Sequence, residues 1–396
     1  MTERLYYKDP NILEFEANIV EVGRKEDRFF TVLDKTAFYP TSGGQLYDTG
    51  RLNDISVFEV IEDNGRILHL TDQEVGKTGE AAKGKVDKQR RQINRQNHTA
   101  QHILSQVFFR LFNFVTVSVH LGEQYGAIEL NTDKIDQDKL KESEILANDI
   151  VSSNLDIEIL FIDDCELHNY PMRKIPERKG TIRIIKIGEF EYSACGGTHC
   201  NCTAEVGMIK ITDTEMMRNH VLVKFLAGSL AVDDYVKRYD VTYKLATDMT
   251  CHYSDLIGRF EKLTEENKKQ KLKIAELKRE LIPILVEKII AKSEKIKGIS
   301  LVFDSIDETD KNFLNNLTSQ IAGRINGIAV IYSDTKLIIG VDKKTHLSAG
   351  DLAKKINSSF DFKGGGNAVL AQIGGVDSQK TELVREFIIK TLSDEL

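Results

Sequence analysis

The chain has 396 residues, enough for two or three domains with sizeable cores. Its 41% hydrophobic and 29% charged content are those of a folded protein in water, and no run of 18 apolar residues offers a membrane span. A net charge of −7 excludes an undirected nucleic-acid binder but leaves room for local basic patches.

Five cysteines are an odd number, and the start Met1-Thr2-Glu3-Arg4 lacks an apolar signal core. Both features predict a reducing, cytoplasmic setting rather than a disulfide framework.

Residues 1–90 read as short strands and predict a small β-barrel. Asn18–Gly23, Phe29–Asp34 and Val57–Ile61 alternate as strands do, and Asp63-Asn64-Gly65 before Ile67–Leu70 marks a hairpin. Inside this region Thr36 to Gly50 reads TAFYPTSGGQLYDTG. Its glycines let backbone approach a ligand closely, and Thr36, Gln45 and Asp48 could supply hydrogen bonds. The same stretch also reads as an ordinary polar turn.

A basic run follows, with Lys83, Lys85, Lys88, Arg90, Arg91 and Arg95 opposed only by Asp87. It leads into Asn97-His98-Thr99-Ala100-Gln101-His102. On a helix, His98 and His102 at i and i+4 share one face, and Ile103, Leu104, Val107, Phe108 and Leu111 continue an apolar side. A second basic cluster, Arg173, Lys174, Arg178, Lys179 and Arg183, precedes Ala194-Cys195-Gly196-Gly197-Thr198-His199-Cys200. The Gly-Gly pair predicts a tight turn that aims Cys195 and His199 at one spot.

Three imidazoles and one thiolate suit Zn²⁺. Four protein ligands also fit a purely structural zinc. A zinc peptidase is a third reading, disfavoured because no glutamate stands beside the first histidine to serve as the usual general base. Two basic clusters flanking both halves of such a site suit a polyanionic substrate. Residues 137–152 read as a helix; Ile157–Ile162, Thr181–Ile187, Gly207–Ile211 and Asn219–Leu226 read as strands, giving an α+β domain over 91–228.

Residues 229–297 turn helical. Leu256, Phe260, Leu263, Asn267, Gln270, Ile274, Leu277 and Leu281 form a heptad seam, which predicts a coiled-coil linker pairing within the chain or between two copies. Pro283 is expected to kink or end that helix. Residues 298–396 return to α/β, with helices expected over 308–324, 348–358 and 379–394. The run Lys363-Gly364-Gly365-Gly366 makes an anion-binding nest conceivable beside the plainer flexible loop.

His98-x3-His102 with Cys195-Gly-Gly-Thr-His199 resembles the editing domain of alanyl-tRNA synthetase and its free-standing relatives, the alanyl-tRNA editing proteins. Phe38-Tyr39-Pro40, Gly43-Gly44-Gln45 and Asp48-x-Gly50 match that family's glycine-rich motif. Lys363-Gly-Gly-Gly366 with Gly374-Gly375 resembles the DHHA1 domain that closes the synthetase. The resemblance covers nearly the whole chain in the same order. It implies four parts: a barrel (1–90), a zinc editing domain (91–228), a helical linker (229–297) and a DHHA1-like domain (298–396). With no synthetase core and no Asp-His-His motif, the expected form is the long trans-editing protein.

The resemblance also implies an ATP-independent hydrolase that deacylates mischarged tRNA(Ala), carrying serine and also glycine, with Zn²⁺ held by His98, His102, Cys195 and His199. Thr36 corresponds to the family threonine assigned to sense the serine hydroxyl; Gln45, Asn97 and Gln101 join it as catalytic candidates. Lys88, Arg90, Arg91, Arg95, Arg178, Lys179, Lys363, Gly364, Gly365 and Gly366 are the RNA-binding candidates. A homodimer through the linker or last domain is a further expectation. His120 and Gln124 are weaker pocket candidates, and Cys200 and Cys202 are competing ligands. The alternative is a tRNA-binding or dimerisation module with a structural zinc and no activity. Retention of Thr36 and the Gly-Gly-Gln stretch argues against that, since a structural zinc does not need them.

Overall fold

The computed structural model describes residues 2–25 and 27–395, which form two compact units, 1–248 and 249–396. In the region where the sequence predicts a barrel, six antiparallel strands close into a hydrogen-bonded ring. Around it run Glu14–Lys25, Arg28–Leu33, Arg66–Thr71, Ile55–Asp63, Gly50–Leu52 and Ala81–Val86, which pairs back with Glu14–Lys25. Ile19, Leu33, Leu52, Val57, Val60, Ile67 and Val86 are buried together with Phe38. Asn64 and Gly65 have φ of 51° and 79°, the doubly left-handed turn that matches strand twist. At Gly50 the strands approach so closely that a Cβ would lie 2.2 Å from the Lys85 carbonyl oxygen.

Helix α1 (Lys88–Phe112) starts at Asp87, whose carboxylate accepts from the Arg90 N–H, and ends at Asn113 with φ 56°. Ala100, Ile103, Leu104, Val107 and Phe108 bury one side of it in the core with Ile128, Val221, Val223 and Phe225. Those partners lie on a four-stranded sheet ordered Ile209–Met217, His220–Ala227, Gly126–Leu130, Thr116–Leu121. Helix α2 (Gln137–Ser152) packs beside α1. A smaller sheet joins Ile157–Asp163, Thr181–Ile187 and Glu191–Ala194. Helix α3 (Ser229–Asp248) closes this unit with most of its surface exposed.

In the second unit, helix α4 (Leu256–Ile290) passes through Pro283 without ending there. The expected break is overridden because Ile282, Val286 and Ile289 are buried in a shared core with Leu314, Leu317 and Ile321. That packing outweighs one lost backbone hydrogen bond. Helix α5 (Lys311–Ile325) shares this side of a six-stranded sheet, while α6 (Ala349–Phe360) and α7 (Thr381–Glu395) pack in a second core. The glycine run, read from the sequence as either a nest or a flexible loop, is instead a strand. Lys363–Gly366 pairs antiparallel with Leu370–Gly374, and a Cβ at Gly364 would sit 2.1 Å from the Gln372 carbonyl oxygen. Glycine is needed there for close strand packing, and ladder pairing replaces the nest.

Candidate metal centre

The helical spacing of His98 and His102 puts their rings side by side on α1, with centroids 5.2 Å apart. The turn after Glu191–Ala194 brings His199 to within 4.4 Å of the His98 ring and 4.7 Å of the His102 ring, centroid to centroid. Cys195 Sγ lies 3.4 Å from His98 Nε2 and 3.3 Å from His199 Nε2. All four ligand atoms fall within 4.8 Å of one another. A tetrahedral zinc with bonds of about 2.0–2.3 Å has ligand–ligand edges of roughly 3.3–3.8 Å, so the Sγ–Nε2 spacings suit it.

The chemistry of each donor points the same way. Gln45 Oε1 accepts from the Thr198 N–H at 3.0 Å, which fixes the amide orientation, and lies 2.8 Å from His98 Nδ1. An amide oxygen only accepts, so His98 carries its hydrogen on Nδ1 and turns a bare Nε2 to the cluster. Gln45 Nε2 donates to Thr198 Oγ1 at 2.9 Å, pinning the glycine-rich loop to the cysteine turn. His199 Nδ1 meets Thr99 Oγ1 at 3.3 Å. His102 Nδ1 faces Glu191 Oε2 at 3.4 Å.

The Gly197 N–H points at Cys195 Sγ at 3.3 Å, and a Cβ at Gly197 would fall 2.1 Å from His98 Cε1. Only glycine fits that close approach. Arg183 Nη1 donates to the Cys195 carbonyl at 2.6 Å and Arg95 Nε to the His199 carbonyl at 2.6 Å, so two arginines clamp the turn.

Burial pushes the Cys195 thiol up, but the imidazoles of His98, His199 and His102 outweigh it and hold the thiol well below its ordinary range. Burial and the neighbouring His98 depress His199 to about 3. Both shifts yield the deprotonated forms that bind a metal. Burial also pulls His102 down, yet Glu191 and Cys195 raise it to about 9. Burial raises Glu191, but His102 and Arg173 bring it to about 2.

Of the other candidates, Gln45 reaches the quartet through His98. Thr36 is fully buried, and its Oγ1 lies 2.8 Å from His69 Nε2 while accepting from the Phe38 N–H at 3.1 Å. His69 Nδ1 faces the Thr31 carbonyl at 2.9 Å and so carries the hydrogen; Thr36 is then the donor to Nε2. Asn97 is buried, and its Oδ1 has no hydrogen-bond partner among the described residues. Gln101 Nε2 instead donates to Ser105 Oγ at 2.9 Å. His120 and Gln124 are exposed on and after the strand Thr116–Leu121. Cys200 and Cys202 lie outside the quartet, and burial pushes the Cys200 thiol up to about 12.

The basic clusters separate into two kinds. Arg91 is buried on Asp48, with Nη2 at 2.5 Å from Oδ2, and also donates to the Pro10 and Ala37 carbonyls. This removes it from the phosphate-binding set: its guanidinium fastens the glycine-rich loop to α1. Arg90 binds the Tyr47 carbonyl and Glu123, and Arg95 binds Asn11 and Glu205 besides His199. Lys88, Arg178, Lys179 and Lys363 are exposed, as are Gly364, Gly365 and Gly366. Sequence reasoning missed Glu191 and Thr99, and it read Arg173 as part of a basic cluster for a polyanion, whereas Arg173 pairs with Glu191. Glu191 stands four residues before Cys195, the one signal that could have marked it.

Residues 3–90 match the family of class II (A) tRNA synthetases, and residues 182–222 match the threonyl and alanyl tRNA synthetase second additional domain. The chain is 29% identical over 395 residues to the alanyl-tRNA editing protein AlaX-L of Pyrococcus horikoshii, covering 97% of this chain and 96% of that protein. It is 30% identical over 403 residues to the alanine–tRNA ligase of Methanococcus maripaludis, covering 99% of this chain but only 44% of the ligase. The chain thus spans less than half the length of the ligases it matches. Among solved structures, the C-Ala domain of Aquifex aeolicus alanyl-tRNA synthetase is 26% identical, over 26% of this chain and 98% of that one, at a TM-score of 0.24. The chain is thus similar, over nearly its whole length and that of its relative, to an alanyl-tRNA editing protein.

Proposed function

We propose that this chain is a zinc-dependent deacylase of mischarged tRNA(Ala), acting on the seryl ester and also on the glycyl ester. The observation that carries the reading is the His98, His102, Cys195, His199 quartet, three buried imidazoles and a half-buried thiol, in a chain that matches an editing protein along its length. His98, His102 and His199 would hold Zn²⁺ through Nε2 and Cys195 through Sγ. Bound there, zinc would supply a Lewis-acidic centre that positions or polarises the aminoacyl group.

The chain's own groups would handle recognition. Thr36 commits its hydrogen to His69 and one lone pair to Phe38, leaving an acceptor site for the hydroxyl of a seryl group. Alanine has no such hydroxyl. Asn97 Oδ1 is an open acceptor next along the helix from His98 and suits the substrate amine. Exposed Lys88, Arg178, Lys179 and Lys363 would meet tRNA phosphates, with the Gly364–Gly366 edge strand alongside. The four-part division drawn from the sequence, a homodimer through the α4 seam and a cytoplasmic setting belong to the same reading.

A second reading keeps one observation in its favour: four protein ligands close a tetrahedral shell, as structural zinc sites do. Under it the protein binds tRNA without hydrolysis. The test is release of serine from seryl-tRNA(Ala) by the zinc-loaded protein and by Cys195→Ala. The deacylase reading expects Cys195→Ala to lose both zinc and activity; full activity without zinc ends it.

A further inference from the structure

We infer that Glu191 is the positioning residue for the metal ligand His102, held in place by Arg173 and Ser193; the inference rests on the zinc reading of the quartet.

Glu191 is 1% exposed, on the strand that leads into the Cys195 turn. Its two oxygens have separate tasks. Oε1 accepts from Arg173 Nη2 and from Ser193 Oγ, the latter at 2.6 Å. Among the described residues, Oε2 has no hydrogen-bond partner within ordinary limits, and neither does His102 Nδ1. The two unpartnered atoms face each other at 3.4 Å.

An ionised carboxylate can only accept, so this contact requires the hydrogen on Nδ1, and Nε2 is the nitrogen that gives up its proton to a metal. The other two histidines have neutral partners, the Gln45 amide and the Thr99 hydroxyl. Glu191 therefore brings the one negative charge among the three ring partners. A bound Zn²⁺ with the Cys195 thiolate carries a net positive charge, and the carboxylate behind His102 offsets it. Arg173 offsets the carboxylate in turn and keeps Oε1 away from the imidazole.

The near-isosteric Glu191→Gln separates this role from packing. Its amide oxygen must take the Oε1 place to accept from Arg173 and Ser193. The NH₂ then points at His102 Nδ1, favours the opposite tautomer and puts a hydrogen on Nε2. Outer partners of this kind are worth about 10–100-fold in metal affinity.

The experiment is zinc titration of the full chain against a chromogenic chelator, for wild type, Glu191→Gln and Glu191→Asp, with circular dichroism of each apo form. Glu191→Gln should keep the wild-type spectrum and bind zinc at least tenfold more weakly, with Glu191→Asp between the two. Zinc affinity within twofold of wild type in folded Glu191→Gln overturns the inference while leaving the zinc reading standing. A wild type that binds no zinc overturns both. Should Glu191→Gln not fold, ¹⁵N-histidine NMR of the zinc-loaded wild type decides. His102 metallated at Nε2 with a hydrogen on Nδ1 supports the inference, and metallation at Nδ1 overturns it.

Discussion

At the scale of single residues, His69 shows how burial fixes chemistry. It is completely buried between Thr36 and the Thr31 carbonyl, and burial lowers its pKa from 6.5 to about 4. In the unfolded chain it would take up a proton near pH 6.5; folded, it resists until about pH 4. Its neutral burial is therefore fully compatible with the fold above pH 6.5, and stability is lost as pH falls from 6.5 toward 4. A shift of this size corresponds to roughly 3 kcal/mol. The wild type should lose melting temperature across that window, and His69→Gln should lose much less. Parallel curves for the two proteins would contradict the assignment.

Thr36→Val tests the hydroxyl acceptor proposed beside His69. It should blur the preference for seryl over alanyl ester in a deacylation assay, whereas unchanged selectivity would remove Thr36 from that role. Gly197→Ala should push His98 aside and weaken zinc binding while circular dichroism stays the same, because the new methyl meets His98 Cε1 at 2.1 Å.

At the scale of elements, the buried pair Asp48–Arg91 joins the glycine-rich loop to α1. Asp48 also accepts from the Tyr39 N–H at 2.7 Å, so one carboxylate sets both the loop and the helix. Asp48→Ala leaves the Arg91 charge buried without its partner and should cost about 3–5 kcal/mol. Adding Arg91→Met should restore part of the loss. Thermal melts of the two variants check this.

The same pair shows what the sequence could and could not say. His98 and His102 were legible because helical spacing is a local property, and Cys195 with His199 because the glycines mark a turn. Arg91 looked like one member of a solvated basic run, since its partner lies 43 positions away. Glu191 and Arg173 were hidden for a similar reason: they meet through strand pairing and a loop, which leave no fixed spacing. Gly364–Gly366 read as a nest or a flexible loop because sheet register is invisible in a short glycine run. Pro283 read as a break because the local cost was visible and the apolar core that holds α4 together was not.

At the scale of the whole molecule, three motifs in register marked one resemblance over nearly the whole chain, and the similarity to an editing protein covers 97% of it. The heptad seam on α4 stays open: Phe260, Leu263, Ile274, Leu277 and Leu281 are 62%, 57%, 53%, 50% and 44% exposed. Such a row of apolar side chains supports the proposed homodimer. Leu263→Glu with Leu277→Glu should convert a dimer to a monomer in sedimentation, and an unchanged sedimentation coefficient would remove the seam from the interface.

The quartet of His98, His102, Cys195 and His199 is proposed to serve selective ester hydrolysis. The measurement that tests it most directly is the rate of deacylation of seryl-tRNA(Ala) against alanyl-tRNA(Ala), with and without a zinc chelator. Fast loss of serine, sparing of alanine and arrest by the chelator are expected. Hydrolysis of neither ester, by protein that holds one equivalent of zinc and still retains tRNA, would contradict it.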